Sequence, residues 1–565
     1  MSANYSFNNS ATKAFVDLAT YDQAETAMYG GNDAITYFVR KLVKATWFAK
    51  AVTVLSRGAC VNSWANSSDI DFTISRVGDY MLYNWLRIQL PAVSSTAGVS
   101  GTGAYGTLNG VSYSLRWTRN LAHHLIEDQQ VTFNDLQADI KKNRFFYDAW
   151  SAFNIPASKR VGYDNMIGNV NALVNPLAEA VDPFSPGLYQ QGTLPAYTLN
   201  LPLVHPFSQD TGIALPTAAL PYNEMKIKFS VKPWSQLLIV DAPRVTVGGA
   251  TVNGGSYQNS GFDGSVLYNN LTQYFGASQP AANTLPDFPT LTPVSSQSIQ
   301  TLNCGLQIDC WATYAIVSNQ ERVRMGSCPR DVLVEQSQMV MGGRCTGNTE
   351  TATDIRFSYP VKSILTLTQN TTNPAEHANY TCGNPVVPLG QTGSIGADVA
   401  LGAAVVAPIK LDNFRYSTDP TRKISLFYEN DSRWEFPNDY ASLVEPYFAN
   451  ISIPEKTGYR GWNYALKPSS VDPTGSTNYG KLTNATIVHQ YSTDLIDAQS
   501  IQPLSIVLNN NLTATNLGND DLGGRGFYFN SSTGAKVANT FQFIHIGVNF
   551  NFIRVSGGAL GFPIL

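Results

Sequence analysis

Short runs that alternate apolar and polar residues recur along almost the whole chain, and that period of two limits the fold more than any other feature. In SDIDFTISR, Ile70, Phe72 and Ile74 share one face of an extended segment, while Asp71, Thr73 and Ser75 share the other. The turn pair Gly78-Asp79 follows, then YMLYNWLRIQLP, which Pro91 stops. VSYSLRWT, LAHHLIEDQQVTFN, LPYNEMKIKFSV, SQLLIVDA and LQIDCWATYAIV predict further strands. The later part offers DVLVEQSQ, TDIRFSY, VKSILTLTQ, KISLFYE, ASLVEPYFANISI, TNATIVHQ, PLSIVLN and TFQFIHIGVNFNFIRV. Helical periodicity is scarce. ADIKKNRFFYDAWSAF, residues 138–153, reads as one short helix burying Phe145, Phe146 and Trp150. Many short strands between turn signals argue for an all-β sandwich or barrel and against a sheet wound with helices.

A single core rarely grows past ~250–300 residues, so a chain of 565 implies two domains. The polar stretch from Asn319 to Pro329 supplies the break. It suggests an N-terminal arm over 1–39, a first domain over 40–322, a connector over 323–329 and a second domain over 330–565. The first 35 residues, polar with scattered aromatics, read as an extended arm. TYFVRKLVKATWFAKAV, residues 36–52, places Phe38, Leu42, Ala45 and Phe48 at helical spacing among Arg40, Lys41, Lys44 and Lys50. It reads as a packed helix or the lead-in to a strand, or else as a basic foot that touches a membrane or an inner protein. Long polar loops cover 245–303 and lie near 371–404 and 510–538. Loops of that length are uncommon inside compact domains and are usually functional.

Charged residues make up 14% of the chain, against roughly 25% in an average soluble domain. That deficit suits a surface meant to be covered by neighbours, because charge is depleted at interface cores. The 37 basic and 41 acidic residues give a formal charge of −4 without a long Lys/Arg run, so direct nucleic-acid binding is not expected. Six cysteines (Cys60, Cys304, Cys310, Cys328, Cys345 and Cys382) are too few for a disulfide framework in so long a chain and read as reduced thiols. Cys304 and Cys310 would share a face of a strand, but they lack the C-x2-C spacing of zinc sites. The N-terminus MSANYSFNNS has no apolar signal region. The longest apolar stretch, Ala400 to Ile409, falls short of the ~20 residues of a membrane span.

Motifs that carry chemistry are missing. The pair His123-His124, followed by Glu127, is the one histidine cluster. On a strand, adjacent residues point to opposite faces, so this pair does not build the metal site of a cupin, which needs H-x-H. Nucleophile elbows, zinc-protease helices and phosphate-binding glycine loops are absent from the sequence. No catalytic, cofactor or metal residue is therefore assigned. N-x-[ST] sequons occur at Asn4, Asn8, Asn66, Asn270, Asn370, Asn379, Asn430, Asn450, Asn484, Asn511 and Asn530. Asn270, Asn511 and Asn530, in or beside long loops, would be the most reachable.

Several long segments carry a family resemblance. They are LATYDQAETAMYGGNDAITYFVRK (18–41), RVGDYMLYNWLRIQLP (76–91), RWTRNLAHHLIEDQQVTFND (116–135), GYDNMIGN (162–169), ALPTAALPYNEMKIKF (214–229), LVEPYF (443–448), YALKPSSVDPTGSTNYGKLTNA (464–485) and the terminal SGGALGFPIL (556–565). In these the chain resembles the major capsid proteins of iridoviruses and related large DNA viruses. The resemblance implies two consecutive antiparallel jelly rolls with long loops and a few short helices. It further implies a homotrimer with six barrels that tiles an icosahedral virion shell, with neighbouring capsomers and minor capsid and penton proteins as partners. The arm would lie at the base, facing an inner viral membrane or minor proteins, and assembly would take place in the host cytoplasm. Phe562, Ile564 and Leu565 would pack into a barrel. Two other readings stay open: a cupin-like double-barrel metalloenzyme, and a glycan-binding β-sandwich protein with oxidised cysteines.

Overall fold

The computed structural model describes residues 10–61, 64, 67–94, 105–108, 111–137, 142–174, 193–258, 306–345, 350–371, 377–380, 419–490, 528–529, 536–537 and 540–561, apart from breaks of one or two residues inside those runs. The chain divides into two units, Met1–Trp47 and Phe48–Leu565.

The first unit is not the extended arm that its polarity suggests. It contains two short helices, Ser10–Ala19 and Gln23–Met28. Asp22 starts the second one with a capping box: its carboxylate accepts from Gln23 N at 2.7 Å, and its own N–H donates to Glu25 Oε2 at 3.2 Å. The helix suggested by the spacing of Phe38, Leu42 and Ala45 does not form, and regular structure resumes only with the strand at Phe48. Helical spacing stabilises a helix when its apolar stripe finds a core, and here Phe38 and Leu42 are exposed.

Sixteen of the twenty-eight strands among the described residues of the second unit form two sets of eight. The first set is β1 (Phe48–Val61), β2 (Ser68–Thr73), β3 (Tyr80–Leu90), β4 (Ile126–Phe133), β5 (Leu136–Gln137), β6 (Tyr197–Pro202), β7 (Met225–Val231) and β8 (Leu306–Val317). The second set is β9 (Arg330–Cys345), β10 (Glu350–Ile355), β11 (Pro360–Asn370), β12 (Lys423–Tyr428), β13 (Asp431–Pro437), β14 (Tyr459–Asn463), β15 (Ala485–Gln490) and β16 (Phe541–Ser556). In each set the first strand pairs with the eighth, the second with the seventh and the third with the sixth, all antiparallel. That is one long hairpin rolled on itself. Rolling adds the pairs β3–β8 and β4–β7 in the first set, and β11–β16 and β12–β15 in the second. The result is two sheets per set, β1-β8-β3-β6 with β2-β7-β4-β5, and β9-β16-β11-β14 with β10-β15-β12-β13; the sheet β9-β16-β11-β14 also carries two short strands, Thr477–Asn478 beside β11 and Ala559–Gly561 beside β16. This order is a jelly roll, and it occurs twice in succession. Rolling leaves few strand edges open to stray pairing.

Patterning explains most of these strands. In β2, Ile70 and Phe72 are buried and Asp69, Asp71 and Thr73 exposed; β7 likewise buries Met225, Ile227, Phe229 and Val231. Side-by-side pairing of Phe229 with Ile70 aligns the two apolar faces. Several segments depart from expectation. LAHHL is a short helix, Leu121–Leu125, and the strand starts only at Ile126. ASLVEPYFA forms a π-turn, Tyr440–Val444, and a helix, Glu445–Ala449; Pro446 fits the first helical turn and would disrupt a sheet ladder. The polar connector begins as a helix, Asn319–Ser327. A further helix, Ala157–Ile167, and strand β6 lie in a Pro/Asn/Gly-rich stretch running to about Leu203, and β13 and β14 lie where the sequence predicts no element.

The expected helix forms over Arg144–Asn154, where the Asn143 side chain accepts from Phe145 N and Phe146 N. It buries Phe145 and Phe146 and leaves Trp150 half-buried. The segment 503–509 and the terminal Phe562, Ile564 and Leu565 lie outside the described residues, as do Asn270, Asn511 and Asn530 and most of the long loops.

Candidate assembly tile and the joint between its two rolls

Helix Arg144–Asn154, inserted between β5 and β6 of the first roll, lies against β11 of the second. Phe153 of that helix faces Gly461 on β14, where a side chain would come within 3.3 Å of the ring. Backbone contact is direct too: Ser452 N donates to Phe153 O at 3.1 Å. One continuous apolar core therefore runs from the first roll, through Phe145, Phe146 and Phe153, to Leu365, Leu367, Ile544 and Ile546 of the second. A separate cluster around Val361, Ile364, Leu426, Trp434 and Ile487 fills the second roll's interior.

A polar network is set into this joint, centred on Asp148, which is fully buried in the helix. Asp148 Oδ1 accepts from His123 Nδ1 at 2.7 Å and from Asn120 Nδ2 at 2.9 Å. Oδ2 accepts from the Tyr380 hydroxyl, contributed by the second roll, at 2.5 Å, and His124 Nε2 lies 3.2 Å away. An ionised carboxylate only accepts, so His123 donates from Nδ1, and its Nε2 accepts a hydrogen bond from the Tyr163 hydroxyl, 2.7 Å away. His377, also from the second roll, stacks on His124 at 5.8 Å, donates to the Gln236 carbonyl at 2.7 Å and accepts from Arg144 at 3.4 Å. Gly458, at φ +88, packs so tightly on Tyr380 that a Cβ would overlap its carbonyl oxygen.

Charge in this network is finely placed. Burial pushes the Asp148 carboxyl up, but His124 and the bonds from both histidines outweigh it and hold the group below the usual carboxylate range. Burial lowers His124 to about 4 despite the nearby carboxylate. His377 is held well below its ordinary value by burial, with Arg144, His124 and Lys232 adding to the effect. Burial and the neighbouring Arg144 bring Lys232 down to about 8.

The histidine pair singled out in the sequence is thus brought together on a helix rather than split across a strand, and both rings face one carboxylate. Among the described residues no group of three or more His, Cys, Asp and Glu side chains is arranged to hold a metal ion. Cys310 is buried, which pushes its thiol up to about 12; Cys345 is buried too, and Cys328 is exposed. Asn370 and Asn379 are buried, which removes them from the reachable sequons. Asp148, His377 and Tyr380 were missed. A single acid inside the aromatic run FFYDAWSAF was the available signal, since a buried carboxylate needs partners.

Beside the joint lies a cleft of about 700 Å³, with Tyr83, Trp85 and Trp150 on the first-roll wall and Glu335 and Lys362 on the second. Lys362 forms a buried ion pair with Glu335, and burial lowers its ammonium to about 7. No described helix is long and apolar enough to cross a membrane.

Two successive rolls, locked by a helix and a carboxylate, define a double jelly-roll protein. Residues 36–266 match the family described as "Major capsid protein N-terminus", and residues 321–517 match "Large eukaryotic DNA virus major capsid protein". The major capsid protein of Costelytra zealandica iridescent virus is 37% identical over 561 residues, covering 99% of both chains. That of Wiseana iridescent virus is 37% identical over 556 residues, covering 98% of this chain and 93% of the relative. The crystal structure of PBCV-1 VP54, fitted into a reconstruction of the virophage Sputnik, superposes with a TM-score of 0.60 at 18% identity, covering 94% of this chain and 100% of that one; it bears on the fold alone. The chain belongs to the major capsid protein family of large eukaryotic DNA viruses and is of the iridovirus type. It is a structural subunit of the virion shell, which it builds with other capsid subunits, and it is not an enzyme.

Proposed function

We propose that three copies associate head-to-tail into a homotrimeric capsomer, and that these capsomers tile an icosahedral shell. The observation that carries this reading is the repetition of one strand order within a single chain. Two similar rolls give a three-fold ring six similar corners, so its outline is near-hexagonal and can tile a surface. Head-to-tail contacts close after three copies and leave no growing end. Permanent contacts of this kind typically bury roughly 2,000 Å² or more. Residues 40–322 and 330–565 are the two rolls in this reading, joined by 323–329 and preceded by the arm 1–39. Neighbouring capsomers and minor capsid and penton proteins are the partners, and the base lies near an inner viral membrane. Assembly takes place in the host cytoplasm, without direct nucleic-acid binding.

The test is the mass of the purified protein in solution at micromolar concentration. Three chains of 61.5 kDa give 184.5 kDa. A mass of 61.5 kDa under those conditions would count against the capsomer.

A further inference from the structure

The π-turn and helix Tyr440–Ala449 of the second roll present an exposed aromatic pair. Tyr447 and Phe448 are 68% and 79% exposed, and their rings meet edge-on at 5.0 Å. Ile451 and Leu466 are exposed as well. The segment is braced from below: Glu445 accepts from Asn463 at 3.1 Å, and Asn463 also donates to Asn450 at 2.9 Å. Aromatics held ready in water are the usual anchors of protein contacts, because little ordering entropy remains to be lost on binding. Charge narrows the partner. Residues 433–456 hold four carboxylates (Glu435, Asp439, Glu445 and Glu455) against two cations, Arg433 and Lys456, and Glu435 is paired with Lys423, so the face is only mildly acidic. Anionic headgroups and nucleic acid would be weakly repelled.

The complementary chemistry lies in the chain itself. Residues 34–50 carry Arg40, Lys41, Lys44 and Lys50 and no acid, and the acid-free stretch continues to Ser68. Tyr37, Phe38, Leu42 and Trp47 in that segment are each more than 80% exposed. We propose that residues 34–50 of a second copy of this chain cover the Tyr447–Phe448 pair, with apolar side chains against the rings and cations against the carboxylates. A donor segment and a differing acceptor face make a head-to-tail contact, which closes in a ring. The proposal rests on the reading that copies associate.

The test places a photoreactive benzoylphenylalanine at position 448 of the full chain. Because Phe448 is exposed, the fold tolerates the replacement. Light and 15N-labelled chains are assembled together, irradiated, digested and analysed by mass spectrometry, and the mass of the assembly is measured on the same sample. The expected result is mixed-label cross-links to peptides within 34–50. Glu455→Lys or Lys44→Glu alone should lower their yield several-fold, and the two together should restore it. Cross-links within one chain, to another surface, to another protein, or none at all in an intact trimer would overturn this contact alone. A monomeric mass would instead remove the assembly reading on which it rests.

Discussion

The third strand of each roll holds the same place in the same topology, yet the two are buried differently. In β3 of the first roll, buried and accessible positions mostly alternate, so one face looks inward and the other, with Tyr83 and Trp85, lines an open cleft. In β11 of the second roll, every residue after Pro360 is buried. The first roll's helix Arg144–Asn154 packs against β11, whereas the helical element that meets β3 is only the single turn Thr217–Ala219. One roll thus serves as a lid for its neighbour. Identical topology does not mean interchangeable halves: the second roll depends on the first for part of its burial.

That asymmetry can be broken directly. Leu365→Ala on β11 should cost about 2–5 kcal/mol in chemical denaturation, because it opens a cavity between the rolls. Tyr83→Ala on β3 should cost about 1 kcal/mol or less, since Tyr83 is 45% exposed. Equal losses would show that both strands are covered alike.

Acid should sharpen the comparison with a smaller effect. Burial lowers His124 in the joint to about 4, and His205 in the first roll and His545 in the second to about 3. Each takes up its proton more readily when unfolded, near its ordinary 6.5, so the stability it allows is full above that pH and falls as pH drops towards the folded value. By pH 5 each should have removed roughly 2 kcal/mol. Asp148, held below the usual carboxylate range, keeps its contribution through this window. His124→Gln should flatten the dependence of unfolding free energy on pH between 4 and 6.5 by one proton; an unchanged slope would mean that His124 does not titrate as the joint requires.

Legibility in the sequence followed burial. Strands with one wet face, such as β2 and β7, announced themselves by alternation. The apolar run VKSILTLTQ was recognisable as a strand, but nothing in it said what covered its outer face. Strands β13 and β14 were hidden because DSRWEFP and YRGWN are short and mix charge with glycine or proline. The helix at Tyr440–Ala449 looked like a strand because its apolar run is compatible with either period. The joint was the least legible part. Asp148 meets Tyr380 across 232 residues of chain, and the segment holding Tyr380 and His377 reads locally as a polar loop.

One chain supplies two rolls, locked together through helix Arg144–Asn154. A density map of the assembled shell tests it most directly. Six rolls are expected in every capsomer, with the helix 144–154 wedged against the strand 360–370 in each chain. A map with one roll per chain, with the helix lifted off that strand, or with chains grouped other than in threes would contradict it.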